Sequence, residues 1–172
     1  MDTAMMDVIG AQETIRDVYH LDRPVDDFEA TLESLCSTSM EVVPHIVIGL
    51  HYGRTVGEAN ALDICARHGI HALVLVIVMP FYAKAGTFAT PATRDVGEIF
   101  LEARQRLANK QVLLGCARPP GMVRRVIDSY AVMAGLDGIA FPADGMVALA
   151  EVIGRPYHQE HACCSIKLGG ES

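Results

Sequence analysis

The stretch Val112-Leu-Leu-Gly-Cys-Ala-Arg-Pro-Pro-Gly121 indicates the fold class of this chain. A short apolar run leads directly into Gly115 and Cys116, and Arg118, two prolines and a helical segment follow. This order is typical of a buried parallel strand that ends at the rim of an α/β sheet. Because ligands bind at the carboxyl ends of the strands in open α/β sheets and in α/β barrels, we expect Cys116 and Arg118 to lie close to a functional site.

The composition bounds the class of protein. The 172 residues are enough for one domain, and the formal net charge of −7 argues against a nucleic-acid surface, which needs clustered Lys and Arg. The longest apolar run, residues 72–79, is too short to cross a bilayer, and no signal peptide is visible. We therefore predict a cytoplasmic protein without a nucleic-acid or membrane partner. Its five cysteines should be thiols, metal ligands or buried small residues rather than disulfides.

Four more apolar runs alternate with helical patterns, so the sequence predicts five βα units. Strands that alternate with helices indicate a parallel sheet with right-handed crossovers. No Gly-x-Gly-x-x-Gly follows the first strand, and polar residues follow several strands, which favours a partial TIM-type (β/α) barrel over a dinucleotide-binding sheet. Residues 1–154 would form this domain, and residues 155–172 a polar tail with His and Cys. The expected strands are 5–9, 45–50, 72–79, 112–114 and 137–141.

An ordered set of motifs carries a resemblance to a known family. The motifs are Asp7-Val-Ile-Gly10, Val43-Pro-His-Ile-Val-Ile-Gly-Leu-His-Tyr-Gly53, Met79-Pro80 with Gly86-Thr87, Leu114-Gly-Cys-Ala-Arg-Pro119 and Asp137-Gly-Ile-Ala-Phe-Pro142. With this ordered set, the chain resembles the C-terminal part of radical S-adenosylmethionine proteins, close to biotin synthase and to the two-subunit type of lipoyl synthase. The likeness runs from Met5 to about Gly154.

The resemblance implies a sulfur-inserting enzyme that uses S-adenosylmethionine and iron–sulfur clusters on a small-molecule or lipoyl-type substrate. The chain would correspond to the fourth to eighth βα units of such a barrel. However, the Cys-x-x-x-Cys-x-x-Cys loop that holds the main cluster is absent, and the nearest approach to it is Cys163-Cys164. We therefore expect a truncated part or a subunit, which contributes half of an active site.

The same resemblance assigns roles to residues at the predicted strand ends. Asp7 would meet the S-adenosylmethionine ribose, and Met79 and Pro80 would lie near the adenine. His51 and Tyr52 follow a strand end and are further candidates for cofactor binding.

Cys116 and Arg118 are the candidate catalytic residues. Cys116 could ligate an auxiliary iron–sulfur cluster, because thiolates are the usual ligands, and Cys163 and Cys164 could join it if the tail folds over the rim. Arg118 could bind a substrate carboxylate. The alternatives are a buried Cys116, an Arg118 that pairs with a neighbouring carboxylate, and an accidental polar tail.

Other residues have structural interpretations. His45, inside a strand, is expected to be a core histidine, and Cys36 and Cys65 are expected to be core thiols. Asp7 lies in a strand that should be buried on both faces, where a carboxylate needs a partner. Thr55 and Glu58 predict a helix capping box.

Two other functions remain open. The chain could be a non-catalytic half-barrel module whose exposed parallel edges pair with a second copy or with a complementary half. It could also be a small α/β enzyme with Cys116 as nucleophile, which would require a lowered thiol pKa.

Overall fold

The computed structural model describes residues 3–160, apart from the side chain of Tyr82. Each strand is followed by at least one helix, with two helices between the first and second strands and a short 3-10 helix at Pro80–Tyr82. The elements are β1 (Thr3–Asp7), α1 (Gln12–Asp17), α2 (Val25–Cys36), β2 (Glu41–Ile48), α3 (Glu58–Arg67), β3 (Ala72–Ile77), α4 (Thr93–Arg106), β4 (Gln111–Leu114), α5 (Met122–Ala134), β5 (Gly138–Ile139) and α6 (Met146–Val152).

The five strands form one all-parallel sheet in the order β1-β2-β3-β4-β5. Parallel crossovers are right-handed, so consecutive order places successive helices on the same face of the sheet. Within residues 3–160 the sheet is not closed, because β1 and β5 each pair with one neighbour. The prediction of an α/β chain with a parallel sheet is confirmed, and the open sheet is consistent with a partial barrel.

The two faces of the sheet are packed differently. The main core joins strand residues such as Ile46, Leu75 and Leu114 to buried side chains of α2, α3, α4 and α5. The buried residues of a second, smaller cluster come from strands alone: Val43, Ala72, Val74 and Leu113. One face therefore carries the helical layer, and this second cluster lies on what we call the helix-free face.

Several strand boundaries differ from those expected. β2 begins at Glu41 rather than at the expected residue 45, so Pro44 lies inside the strand. β3 ends at Ile77, because the chain turns into the 3-10 helix at Pro80. β5 is shorter than the expected strand 137–141 and contains only Gly138 and Ile139.

Gly10 fixes how the end of β1 packs on the start of α3. A Cβ atom at this position would lie 2.1 Å from the carbonyl oxygen of Gly57 and 2.5 Å from the amide nitrogen of Ala61. The side-chain amide of Asn60 also donates a hydrogen bond to the Gly10 carbonyl (2.8 Å). The first loop at the carboxyl end of the sheet is thus held against α3 by backbone contact.

In the described part of the chain, none of the helices combines the length and the apolar character that crossing a membrane requires.

Candidate functional site at the carboxyl ends of the strands

The sheet brings the described candidate residues to one end of the molecule. Asp7 is the last residue of β1, and the other candidates follow the ends of β2, β3 and β4. The carboxyl ends of parallel strands lie at the same edge of a sheet. The backbone amide of Ile77 also donates to the carbonyl of Ala117 (2.8 Å), which holds the segment with Cys116 beside the end of β3.

Asp7 lies on the helix-free face and is exposed, so the expectation of a strand buried on both faces is wrong for this residue. The reason is that, among residues 3–160, β1 pairs with β2 on one side only, so fewer neighbouring side chains cover Asp7. The hydroxyl of Tyr19 donates a hydrogen bond to Oδ2 of Asp7 (2.8 Å). The carboxylate is therefore oriented but still accessible to a ligand.

His45 is the register partner of Asp7 on β2 and is half-buried. Burial lowers the pKa of His45, and the negative charge of Asp7 opposes this effect in part. Burial and the bond to Asp7 raise the pKa of Tyr19. Asp7, Tyr19 and His45 thus form a polar group at the β1–β2 end of the sheet, of which the sequence singled out only Asp7 for a functional role.

His51 is buried, with 9% of its surface exposed, and its Nδ1 lies 3.2 Å from the Thr14 hydroxyl. Asp7, Thr14 and His51 line a cavity of about 20 Å³ between the ends of β1 and β2. A volume of this size accommodates about one water molecule. A ligand as large as S-adenosylmethionine would have to lie outside this cavity, over the open end of the sheet.

Tyr52 braces the loop that follows β2. Its backbone has a positive φ of 55°, its hydroxyl donates to the carbonyl of Asp17 (2.7 Å), and its ring lies 4.9 Å from the ring of Phe88. Gly53 has a φ of 92° and packs so closely that a Cβ would lie 2.4 Å from the carbonyl oxygen of Ala89. These contacts join the loop after β2 to the end of α1 and to the loop before α4. The role in cofactor binding predicted for Tyr52 stays a prediction.

Glu58 organises the same region in a way that the sequence only partly indicates. Its carboxylate is buried and accepts hydrogen bonds from the backbone amides of Gly49 (2.8 Å), Val56 (2.8 Å) and Gly57 (3.0 Å). The capping box expected at Thr55 is not formed, because α3 begins at Glu58 itself and Gly57 precedes it. Glu58 instead ties the end of β2 to the start of α3.

Arg118 is completely buried in an ion pair with Asp128 of α5. Its Nε donates to Oδ1 of Asp128 (2.6 Å) and its Nη2 to Oδ2 (3.1 Å). The guanidinium also donates to the carbonyls of Gly115 (2.5 Å), Ala140 (2.8 Å) and Phe141 (3.1 Å). Arg118 thereby joins the ends of β4 and β5 to α5, which is the ion-pair alternative considered for it. The geometry favours a positioning role, and direct contact with substrate stays a prediction.

Asp128 is a residue of the candidate site that the sequence pattern did not single out. Its Oδ2 also accepts a hydrogen bond from the amide of Ala143 (2.8 Å). A signal was present, because Asp128 lies between Ile127 and Ala131 on the buried face of α5. A carboxylate at such a position needs a cation.

Cys116 is exposed, so the alternative of a buried core thiol is wrong. Several large apolar side chains that follow β3, β4 and β5 are exposed as well. Phe141 is 74% exposed and has a positive φ of 49°, a backbone conformation that costs a non-glycine residue energy. Met79 (38%), Phe81 (59%) and Met122 (72%) are the others. The β3–β5 end of the sheet therefore presents a thiol and apolar groups, whereas the β1–β2 end is polar.

The described residues do not hold a complete iron–sulfur site. In residues 3–160 no group of three or more His, Cys, Asp or Glu side chains is arranged to bind a metal ion. Cys116 is the exposed thiol of this range, whereas Cys65 is buried and Cys36 is half-buried. Cys163 and Cys164 lie outside the described residues. A cluster at Cys116 would need ligands from beyond residues 3–160.

A larger depression lies on the helical layer, away from the candidate residues. It has a volume of about 260 Å³ and is lined by α4 and α5, including Leu101, Tyr130 and Met133.

Comparison of the chain with protein-family models and with curated proteins finds no match.

Proposed function

We propose that this chain is the C-terminal barrel portion of a radical S-adenosylmethionine enzyme of the sulfur-inserting type. It would supply the part of the pocket that contacts S-adenosylmethionine and a small-molecule or lipoyl-type substrate. The proposal rests first on the sequential parallel sheet, which delivers Asp7, His51 and Cys116 to the same end. An eight-stranded TIM-type barrel places its active site at this end.

Asp7 is suited to the role that the resemblance gives it. It is exposed, and Oδ1 has no hydrogen-bond partner among the described residues, whereas Oδ2 is held by Tyr19. A carboxylate of this kind accepts hydrogen bonds from two neighbouring hydroxyl groups, such as those of a ribose. When bound, S-adenosylmethionine would supply the radical chemistry of the family, and the residues of this chain would orient it.

Calorimetric titration of the chain with millimolar S-adenosylmethionine tests this proposal. We expect binding, and we expect Asp7→Ala to weaken it at least about ten-fold, because a charge-assisted hydrogen bond is worth more than about 1.4 kcal/mol. Asp22→Ala, which removes another exposed carboxylate, is the matched control and should bind like the wild type. No binding, or equal loss in both variants, would reject the proposal.

The auxiliary iron–sulfur site is tested separately by anaerobic reconstitution with iron and sulfide. We expect the wild-type chain to retain iron and the Cys116→Ala, Cys163→Ala and Cys164→Ala variants to lose it. If the three variants keep as much iron as the wild type, the auxiliary cluster is excluded.

A non-catalytic assembly module is the second candidate function. The observation in its favour is that the two edge strands of the sheet, β1 and β5, each pair with one strand only within residues 3–160. A stable monomeric mass in solution, measured by light scattering, would count against it.

A further inference from the structure

The contacts around His51 give its imidazole ring one orientation. The residue is 9% exposed, and its ring meets the ring of Tyr52 edge-on, with 5.1 Å between the two ring centroids. The hydroxyl of Tyr52 is itself bound to the carbonyl of Asp17 (2.7 Å). The backbone carbonyl of His51 accepts a hydrogen bond from the amide of Arg54 (3.0 Å). The imidazole is therefore held by its surroundings before any ligand binds.

Thr14 determines which nitrogen of this ring carries the proton. Its hydroxyl oxygen lies 3.2 Å from Nδ1 of His51, and both residues are buried. Among the described residues the hydroxyl has no other hydrogen-bond partner, and a buried hydroxyl proton needs an acceptor. Nδ1 is this acceptor when it holds a lone pair, and the neutral ring then carries its single proton on Nε2.

The other ring nitrogen, Nε2, is the one that can reach a ligand. It has no hydrogen-bond partner among residues 3–160, and it is not one of the enclosed polar atoms that lack a partner there. His51 and Asp7 line the same cavity between the ends of β1 and β2, which accommodates about one water-sized group. A ligand that lies over the open end of the sheet therefore reaches Nε2 with a single atom. A proton on Nε2 requires that this atom be a hydrogen-bond acceptor.

We propose that His51 is a hydrogen-bond donor to the bound ligand and that Thr14 is the positioning residue that keeps the proton on Nε2. For the identity of the ligand, this inference rests on the proposed function. The site then takes a molecule with hydroxyl groups for the carboxylate of Asp7 and an uncharged acceptor oxygen or nitrogen for His51. A nucleoside carries both. Because a metal ion binds a ring nitrogen through its lone pair, His51 in this tautomer contacts the ligand and does not hold a metal at Nε2.

Nitrogen-15 NMR of the ligand-free chain at pH 8 tests the tautomer. The spectrum of His51→Gln identifies the signals of His51 among those of the seven histidines. We expect the proton on Nε2 in the wild type and in Thr14→Ser, which keeps the hydroxyl. In Thr14→Val, which removes the hydroxyl at similar volume, the nitrogen shifts should move toward a mixture of both tautomers. Thr31→Val removes an exposed hydroxyl on α2 and is the matched control, with wild-type shifts.

Addition of millimolar S-adenosylmethionine tests the contact with the ligand. The Nε2 signal of His51 should shift, and its proton should exchange more slowly with water, because it enters a hydrogen bond. In calorimetric titrations His51→Phe should weaken binding about five-fold, which corresponds to the loss of one neutral hydrogen bond. His158→Phe, at an exposed position, should bind like the wild type.

Three results would overturn the inference: a proton on Nδ1 in the wild type, wild-type nitrogen shifts in Thr14→Val, or equal affinity of His51→Phe and the wild type. The proposed function fails separately. A chain that shows the expected tautomers but does not bind S-adenosylmethionine would reject that function and the ligand assigned to His51, and would keep the role of Thr14. Binding of S-adenosylmethionine to a wild-type chain with the proton on Nδ1 would do the reverse.

Discussion

The buried pair of Arg118 and Asp128 connects three elements at the candidate site. Both side chains are inaccessible to solvent, and the guanidinium donates hydrogen bonds to carbonyls that follow β4 and β5. A buried charge is tolerated when its partner and its hydrogen bonds are complete, and removal of one partner leaves the other charge without compensation. The pair therefore fixes the chain around Cys116 rather than exposing a free cation.

We predict that Asp128→Ala lowers the free energy of unfolding by about 3–5 kcal/mol, because it leaves Arg118 buried without a counter-ion. Chemical denaturation measures this change. Asp27→Ala, which removes a carboxylate from an exposed pair with Arg23, should have little effect. Similar denaturation midpoints for the Asp128→Ala and Asp27→Ala variants would contradict the role given to the buried pair.

His45 should make the protein less stable in mild acid. Burial lowers its pKa below the ordinary value of 6.5, so the folded state binds fewer protons than the unfolded state in that range. Its contribution to stability is complete above pH 6.5 and is lost as the pH falls toward the lower pKa of the folded state.

Thermal unfolding measured between pH 7.5 and pH 5.5 tests this prediction. His45→Gln should remove part of the decrease in melting temperature, whereas His20→Asn, at an exposed position, should retain all of it. The same pH dependence in all three proteins would show that His45 does not control it.

The three described thiols should react in the order of their exposure. In a Cys163→Ser/Cys164→Ser background, a maleimide should modify Cys116 first and Cys36 more slowly. Cys65 should react only after unfolding, because it is buried and burial raises its pKa to about 12. Peptide mapping identifies the modified residue, and early modification of Cys65 would contradict the packing of α3.

At the scale of elements, the strands and their order were predictable from the sequence, because continuous apolar runs mark strands covered on both faces. The boundaries were less predictable. Pro44 lies inside β2, and the start of α3 depends on Glu58 and a close approach of Gly10 to Gly57. Such details depend on contacts between segments that are distant in sequence.

The candidate site was predictable to a similar degree. Strand ends could be located from the sequence, so Asp7 and Cys116 could be identified as candidate site residues. The partners that set their surroundings, such as Tyr19 and Asp128, come from other elements and appear only when the chain is folded. Sequence spacing alone does not show that Asp128 lies beside Arg118.

We predict that Gly10→Ala destabilises the protein by about 3 kcal/mol, because its methyl group would overlap the backbone of Gly57 and Ala61. Gly69→Ala is the matched control. No atom lies within 4 Å of a Cβ at Gly69, so the change should be neutral or stabilising by up to about 1 kcal/mol. Equal unfolding midpoints would show that the β1 loop does not pack on α3 as described.

At the scale of the whole molecule, the hydrophobic core and the candidate site occupy different parts of the sheet. The helix-bearing face contains the main core and gives the fold its stability. The carboxyl end of the sheet combines a polar part near β1 and β2 with an apolar, thiol-bearing part near β3, β4 and β5. The polar and apolar parts of the carboxyl end suit the two molecules of the proposed function. S-adenosylmethionine would contact the polar part, and a substrate with an apolar portion would contact the other part.

Hydrogen–deuterium exchange with and without S-adenosylmethionine tests the central claim most directly. We predict slower exchange of amides in residues 7–11, 78–79 and 115–118 when the ligand is added, and no change in α4 and α5 around Leu101 and Met133. No protection at the strand ends, or protection confined to the α4–α5 depression, would contradict the assignment of this end of the sheet as an S-adenosylmethionine site.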